Sequence, residues 1–321
     1  MDVIRYRAFL DISHALSLID TFWVKPVESK LEWEDLSLYT HPFNDVIART
    51  AFEGGLHGRH LSTTSPEYGT DGSFAKCWIR EGGTIKMLKR GSSGASNAGL
   101  ELYSEFYAGQ VIEKFTDCFV RYGLRTHNSR ICSVCDSFYF RGIRISSICC
   151  GGYWEYDDFR NLGKNHRNWA WKQKFKKMFV LDAVIMNTDR HKNNFGFLID
   201  NRTLEIQGMA PLFDHNLALL PYAVEPEEFT YGGTYYKEHG PSIGDDWVNI
   251  ATACLTPETR KVLIELREFA FEKHPKYNLT DWRLEALTAE MHAIIDAILE
   301  KDALKNETDC GKIKVVFRKR E

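Results

Sequence analysis

Long apolar runs are missing from this chain: nothing in its 321 residues approaches the roughly 18 consecutive apolar residues that a membrane-spanning helix needs. An excess of either charge is missing too. With 41 Lys and Arg against 44 Asp and Glu, the formal net charge is −3, which exerts no general pull toward nucleic acid or an anionic membrane. The opening residues Met1-Asp2-Val3-Ile4-Arg5 lack the charged-then-apolar pattern of a secretory signal. No amphipathic basic helix marks a membrane face. The basic stretch 312–321 carries no stacking platform of aromatics, so it reads as a solvated tail or terminal strand. These absences set the expectation of a cytoplasmic chain with no direct nucleic-acid binding and no membrane contact.

A metal-binding pattern of cysteines is also lacking, although eight cysteines are present. Cys132 and Cys135 form one pair, but the second pair, Cys149 and Cys150, is adjacent in sequence, which is the wrong spacing for a paired C-x-x-C zinc site. The first pair lies in strand-like text (131–140) and the second directly follows another such stretch (143–148), a setting where reduced cysteine serves as a small buried hydrophobe.

What is present is an ordinary globular composition, 44% hydrophobic and 26% charged, in a chain long enough for one two-lobed enzyme or two domains. The most informative segment is Asn187-Thr188-Asp189-Arg190-His191-Lys192-Asn193-Asn194. Its aspartate and asparagine have the spacing of a kinase catalytic loop. In such a loop the Asp takes a proton from the attacking hydroxyl and the Asn holds Mg²⁺ on the ATP phosphates. Taken alone, D-x-x-x-x-N is a weak signal. Its setting strengthens it: residues 169–186 read as a helix, 195–200 as a strand, 201–203 as a turn and 204–206 as a returning strand. The chain then reaches Ala210-Pro211-Leu212-Phe213-Asp214, where Asp214 stands in the place of a principal metal-binding Asp but is followed by His215 and Asn216. Farther on, Thr256-Pro257-Glu258 and Thr280-Asp281 read as helix starts.

The pattern N-x-D-R-H-x-x-N, followed by P-L-F-D, resembles the HipA-like serine/threonine kinases of bacteria, including the shorter CtkA-like forms. The resemblance covers roughly residues 65 to 220, and the D-R-H-x-x-N core is also similar to the catalytic loop of phosphatidylinositol 3- and 4-kinases. It implies an α+β, bilobed protein-kinase-like fold with a β-rich N-lobe and a mainly helical C-lobe. It further implies ATP and Mg²⁺ as cofactors, a protein Ser/Thr hydroxyl as acceptor, and an antitoxin-type DNA-binding protein as a candidate partner. Asp189 is the implied base, and Asn194 and Asp214 are the implied metal ligands. His191 and Asn187 either shape the loop or, for His191, share the transition-state charge. Full-length HipA proteins carry an N-terminal subdomain without a clear counterpart here. Residues 1–64 read instead as an aromatic-rich extension packed on an N-lobe of 65–140, with the C-lobe in 141–321. A small-molecule or lipid kinase on the same scaffold, and an inactive binding module, are the competing readings.

The nucleotide half can be read in the same order. Tyr68-Gly69-Thr70-Asp71-Gly72-Ser73 is a glycine-containing turn, and Gly69 and Gly72 would let backbone N–H groups close on an anion, though the turn also suits an ordinary hairpin. The resemblance adds Lys76 as the lysine ending this turn, and Thr70 or Ser73 as autophosphorylation candidates. In the strand 84–89, period two sends Ile85, Met87 and Lys89 to one face and Lys86 to the other, which favours Lys89 as the phosphate lysine. A strand-end lysine can equally snorkel to water. On the helix expected over 97–114, Glu101 and Glu105 share a face. The resemblance, closest around Ser104-Glu105, favours Glu105 as the partner for Lys89, with a solvated helix face as the alternative. The hinge is placed in 131–140, with Val134 and Asp136 bounding the candidate adenine-binding backbone.

Overall fold

The computed structural model describes residues 3–18, 22–54, 63–70, 74–138, 143–147, 169–191, 193–233, 238–244 and 246–310. Three helices come first: α1 (Val3–Ser13), the single turn α2 (Trp33–Leu36) and α3 (Asp45–Glu53). Asn44 starts α3 because its side-chain oxygen accepts from the Val46 and Ile47 N–H groups, both at 3.0 Å. A hairpin comes next, β1 (Lys76–Glu81) and β2 (Thr84–Lys89), turned by Gly82 and Gly83 at φ 58° and 82°. That left-handed pair is the conformation a two-residue hairpin needs and one that glycine adopts without strain. After α4 (Leu100–Phe115) come β3 (Gly123–His127) and β4 (Arg130–Asp136), which complete an antiparallel sheet of order β1-β2-β4-β3. Helix α4 starts three residues later than periodicity predicts because Gly99, at φ 82°, breaks the helical path.

This sheet is buried on both faces. Trp78, Met87 and Cys135 join Leu16, Leu18 and Leu38 in one apolar cluster, while Cys77, Leu88 and Cys132 pack with Phe52 in another. Cys132 and Cys135 therefore leave β4 toward different clusters and cannot chelate one ion. Burial pushes their thiols up to about 11 and about 12. Cys149 and Cys150 lie outside the described residues.

The second lobe opens with β5 (Ile143–Ser147) and continues through α5 (Trp169–Val184), β6 (Gly196–Asp200), β7 (Ile206–Met209), α6 (Trp247–Cys254), α7 (Pro257–Glu265) and α8 (Asp281–Cys310). Strands β5, β6 and β7 form a second antiparallel sheet. The returning strand β7 starts at Ile206 rather than Leu204, because Leu204 sits at φ 61° and finishes the turn. That turn is held by Asp200, whose carboxylate accepts from the N–H groups of Arg202 and Thr203. Thr256 caps α7 with Pro257 in the first position, as the sequence suggests.

Helix α5 explains where the lobe's core lies. Its first half alternates lysines with Phe175 and Met178. From Phe179 to Met186 every side chain is buried and all but Asp182 are apolar, so this half runs through the centre of the lobe. The core also takes Tyr107, Val111, Ile112 and Phe115 from α4, which welds that helix to the second lobe.

Candidate active site

The central helix delivers the Asn187–Asn194 segment to the lobe interface. Helix α5 ends in a Schellman motif: the Asn187 N–H returns to the Asp182 carbonyl at 2.9 Å and the Met186 N–H to Ala183 at 3.1 Å, with Met186 at φ 51°. The chain is thereby turned sharply into the loop, and Asp182 is left buried at the loop's root.

Asp182 anchors the loop from beneath. Its carboxylate receives Arg190 Nε at 2.8 Å and a second guanidinium N–H at 3.0 Å, together with the Asn187 amide at 2.9 Å. Arg190 is itself 2% exposed and sends its third bond to the Asn194 carbonyl at 2.6 Å, with a longer contact to the Phe213 carbonyl at 3.2 Å. One buried guanidinium thus spans the helix, the loop and the residue before Asp214. Asn187 also accepts from the Asp189 N–H at 3.2 Å. Asp182 is the residue that sequence reasoning missed, and its trace was a lone carboxylate in an otherwise apolar helix half.

The loop closes around Asp189. The Asn194 amide donates to the Asp189 backbone carbonyl at 2.8 Å and approaches its carboxylate at 3.5 Å, while His191 Nε2 lies 3.8 Å from the same carboxylate. Burial raises the Asp189 pKa, and nearby His191 counteracts it only in part.

Across the cleft, Lys89 Nζ donates to Glu105 at 2.6 Å and to Asp214 at 2.7 Å, and it lies over the Tyr122 ring at 5.1 Å. Lys89 is 7% exposed and Glu105 1% exposed. Burial alone would lower the lysine pKa, but the two carboxylates outweigh it and hold the ammonium well above its ordinary range. Glu105 is raised by burial despite Lys89, and it also accepts from Ser133 Oγ at 2.5 Å. Burial likewise opposes ionisation of Asp214, yet the Lys89 ammonium brings its pKa down to about 2. Glu101, four residues before Glu105, is also buried but accepts from the Ser92 N–H instead.

Lys89, Tyr122, Asp189 and Asp214 line one cleft of about 700 Å³, which also contains Gly69, Thr70, Lys76, Met87, Phe138, His191, Asn194, Phe213 and Asn216. Within the expected hinge of 131–140, Val134 and Asp136 do not line the cleft. Val134 packs with Leu88 and Cys132, and its backbone lies between Leu88 and Gly123 in the central strand β4. Asp136 is exposed and pairs with Lys86 at 2.6 Å. The Ser137 N–H is bonded to the Ile85 carbonyl, so the chain first turns to the cleft at Phe138, which packs on Phe213 with ring centroids 5.2 Å apart. Gly72 and Ser73 lie outside the described residues. The Thr70 hydroxyl is already engaged, donating to the Pro66 carbonyl and accepting from Trp78 Nε1, both at 2.8 Å.

The donor set suits a hard cation. Asp189, Asn194 and Asp214 present oxygen ligands to one cleft, and Asn216 Oδ1, also at the cleft, is buried with no hydrogen-bond partner among the described residues. No group of three or more His, Cys, Asp or Glu makes a ready cage among those residues. Mg²⁺ does not require one, because it is held by one or two carboxylates together with substrate phosphates. His215, behind Asp214, is kept neutral by burial and by Arg190.

No protein-family model matches this sequence, and no curated protein matches it either. Among solved structures, the Helicobacter pylori proinflammatory kinase CtkA is similar with a TM-score of 0.56 at 17% identity, over 74% of this chain and 94% of that one. HipA from the Shewanella oneidensis MR-1 toxin–antitoxin system, solved with HipB and operator DNA, is similar with a TM-score of 0.40 at 10% identity, over 72% of this chain and 65% of that one. The likeness to CtkA shows a kinase-like, bilobed α+β fold and, at that identity, the fold alone. No helix among the described residues is long and apolar enough to cross a membrane.

Proposed function

We propose that this chain is an ATP- and Mg²⁺-dependent phosphotransferase of the HipA-like class that acts on a protein Ser or Thr hydroxyl. The observation that carries the reading is the Lys89 ammonium held between Glu105 and Asp214, facing Asp189 and Asn194 across one cleft. Bound Mg²⁺ and ATP would supply the transferable phosphoryl group and the countercharge it needs. Asp214 and Asn194 would hold the metal, and Lys89, steered by Glu105, would pair with the phosphates. Asp189 accepts the proton of the attacking hydroxyl. Its raised pKa makes it a stronger base than an ordinary aspartate, and the Asn194 amide approaches its carboxylate at 3.5 Å. Asp182 anchors Arg190's end of the loop from below, which limits the reorganisation that accompanies the reaction.

The test is incubation with γ-labelled ATP, first alone and then with cell extract. Label appears on the chain itself or on another protein, and Asp189→Asn lowers the rate by ~10²–10⁴ while Mg-ATP still binds. Near wild-type turnover in that variant refutes Asp189 as the base. Label confined to lipid or to a small molecule moves the reading to those acceptors, and a chain that binds no Mg-ATP is no kinase.

A further inference from the structure

The cleft has a wall that no kinase motif accounts for. Leu18, from the segment after α1, lines it together with Met87, Phe138 and Phe213. This segment reaches the cleft by an unusual path. His14 and Ala15 both take positive φ, 51° and 53°, a left-handed pair that non-glycine residues adopt only at a steric cost. The reversal is held at two points: the Val24 N–H donates to the His14 carbonyl at 2.9 Å, and His14 Nδ1 lies 3.0 Å from the Val24 carbonyl. Leu16 and Leu18 are each 2% exposed, and the Leu18 carbonyl accepts from Tyr39 Oη at 2.5 Å.

The turn at Gly69 is fitted to this segment. A Cβ at position 69 would lie 2.7 Å from Ser17 Cβ, closer than two carbons can approach. The same turn is tied to β1 through Trp78, whose N–H donates to Glu67 at 2.9 Å and whose indole reaches Thr70. Strap, turn and strand therefore form one packed unit above the cleft. The apolar company of Leu18 matches the flat, apolar face of a purine, while Lys89, Asn194 and Asp214 present the charge that phosphates require.

We propose that residues 13–18 form the roof over the base of the bound nucleotide, with Leu18 as the residue that touches the purine and Gly69 as the position that admits the strap. This roof rests on the adenine-nucleotide reading of the cleft. Gly69 then serves packing rather than phosphate binding, its missing side chain making room for Ser17.

The experiment is a double-mutant cycle of Gly69→Ala, Ser17→Gly and the pair, with Mg-ATP and adenosine affinities measured by calorimetry and folding followed by nucleotide-free melting. Adenosine isolates the base from the phosphates. Gly69→Ala weakens both ligands by about tenfold or more, and adding Ser17→Gly restores most of the loss because it removes the atom that clashes. Leu18→Ala, which leaves that close approach untouched, weakens adenosine as well. Wild-type affinity in Gly69→Ala, no recovery in the double variant, or unchanged adenosine binding by folded Leu18→Ala each overturns the roof. Absence of binding by the wild-type chain overturns the nucleotide reading and the roof with it.

Discussion

Lys89 and Lys86 are three residues apart on one strand, and the pleat gives them different surroundings. Lys89 is enclosed with two carboxylates, whereas Lys86 reaches a largely exposed Asp136. A surface pair of the second kind contributes ~0–1 kcal/mol, so Lys86→Met changes activity and stability little. Lys89→Met removes a donor from the phosphate site and lowers activity by about 10²–10³-fold, as loss of one preorganised donor does. It also leaves Glu105 buried without its cation, and a lowered melting temperature accompanies the loss. Glu105→Gln in the same chain removes the stranded charge, so the double variant melts higher than Lys89→Met yet stays inactive. Steady-state phosphorylation rates and melting curves on the four proteins check this. Equal activity in Lys86→Met and Lys89→Met contradicts the assignment.

At the scale of elements, α5 both builds the core and aims the loop. Its buried half carries a single carboxylate, Asp182, and that carboxylate meets the Arg190 guanidinium in a two-pronged contact. Breaking a buried pair strands the remaining charge and costs about 3–5 kcal/mol, so Asp182→Asn melts well below wild type. Replacing both members by apolar residues, Asp182→Leu with Arg190→Met, recovers much of that stability, since desolvation of the ions disappears with them. Activity does not return, because Arg190 also bonds the Asn194 carbonyl and contacts that of Phe213. Recovery of full activity in the double variant would show that the pair stabilises the fold without placing the loop.

For the molecule as a whole, the cleft sets stability against activity. Burial raises the Asp189 pKa, so its ionised form is less favourable folded than unfolded. An acid with a raised folded pKa destabilises the protein at pH values above that pKa, and the penalty vanishes below the unfolded value of about 3.9. Asp189→Asn therefore melts higher than wild type at neutral pH, and the difference shrinks as pH falls toward about 4. The same shift places the acid limb of kcat/KM above the ordinary aspartate range. Asp214, at about 2, stays ionised throughout that limb. Melting curves and rate profiles between neutral pH and acid measure both effects, and a destabilised Asp189→Asn at neutral pH contradicts the sign.

Local rules reached much of this molecule. Period two in β2 separated Lys89 from Lys86, the apolar spacing of residues 169–186 marked α5, and the Thr256-Pro257 start of α7 was legible because a cap is made within a few residues. The order of helix, loop, hairpin and second aspartate could be read for the same reason. The choice of Glu105 over Glu101 for Lys89 could not, because both share one buried helix face and only the depth of α4 against the sheet separates them. Neither could the meeting of Asp182 with Arg190, nor the displacement of the cleft-facing backbone from Val134 and Asp136 to Phe138. Leu18 lies farthest from any local signal. Its place depends on two left-handed residues and on a glycine in a distant turn, and such contacts are decided by packing between segments, for which spacing along the chain carries no sign.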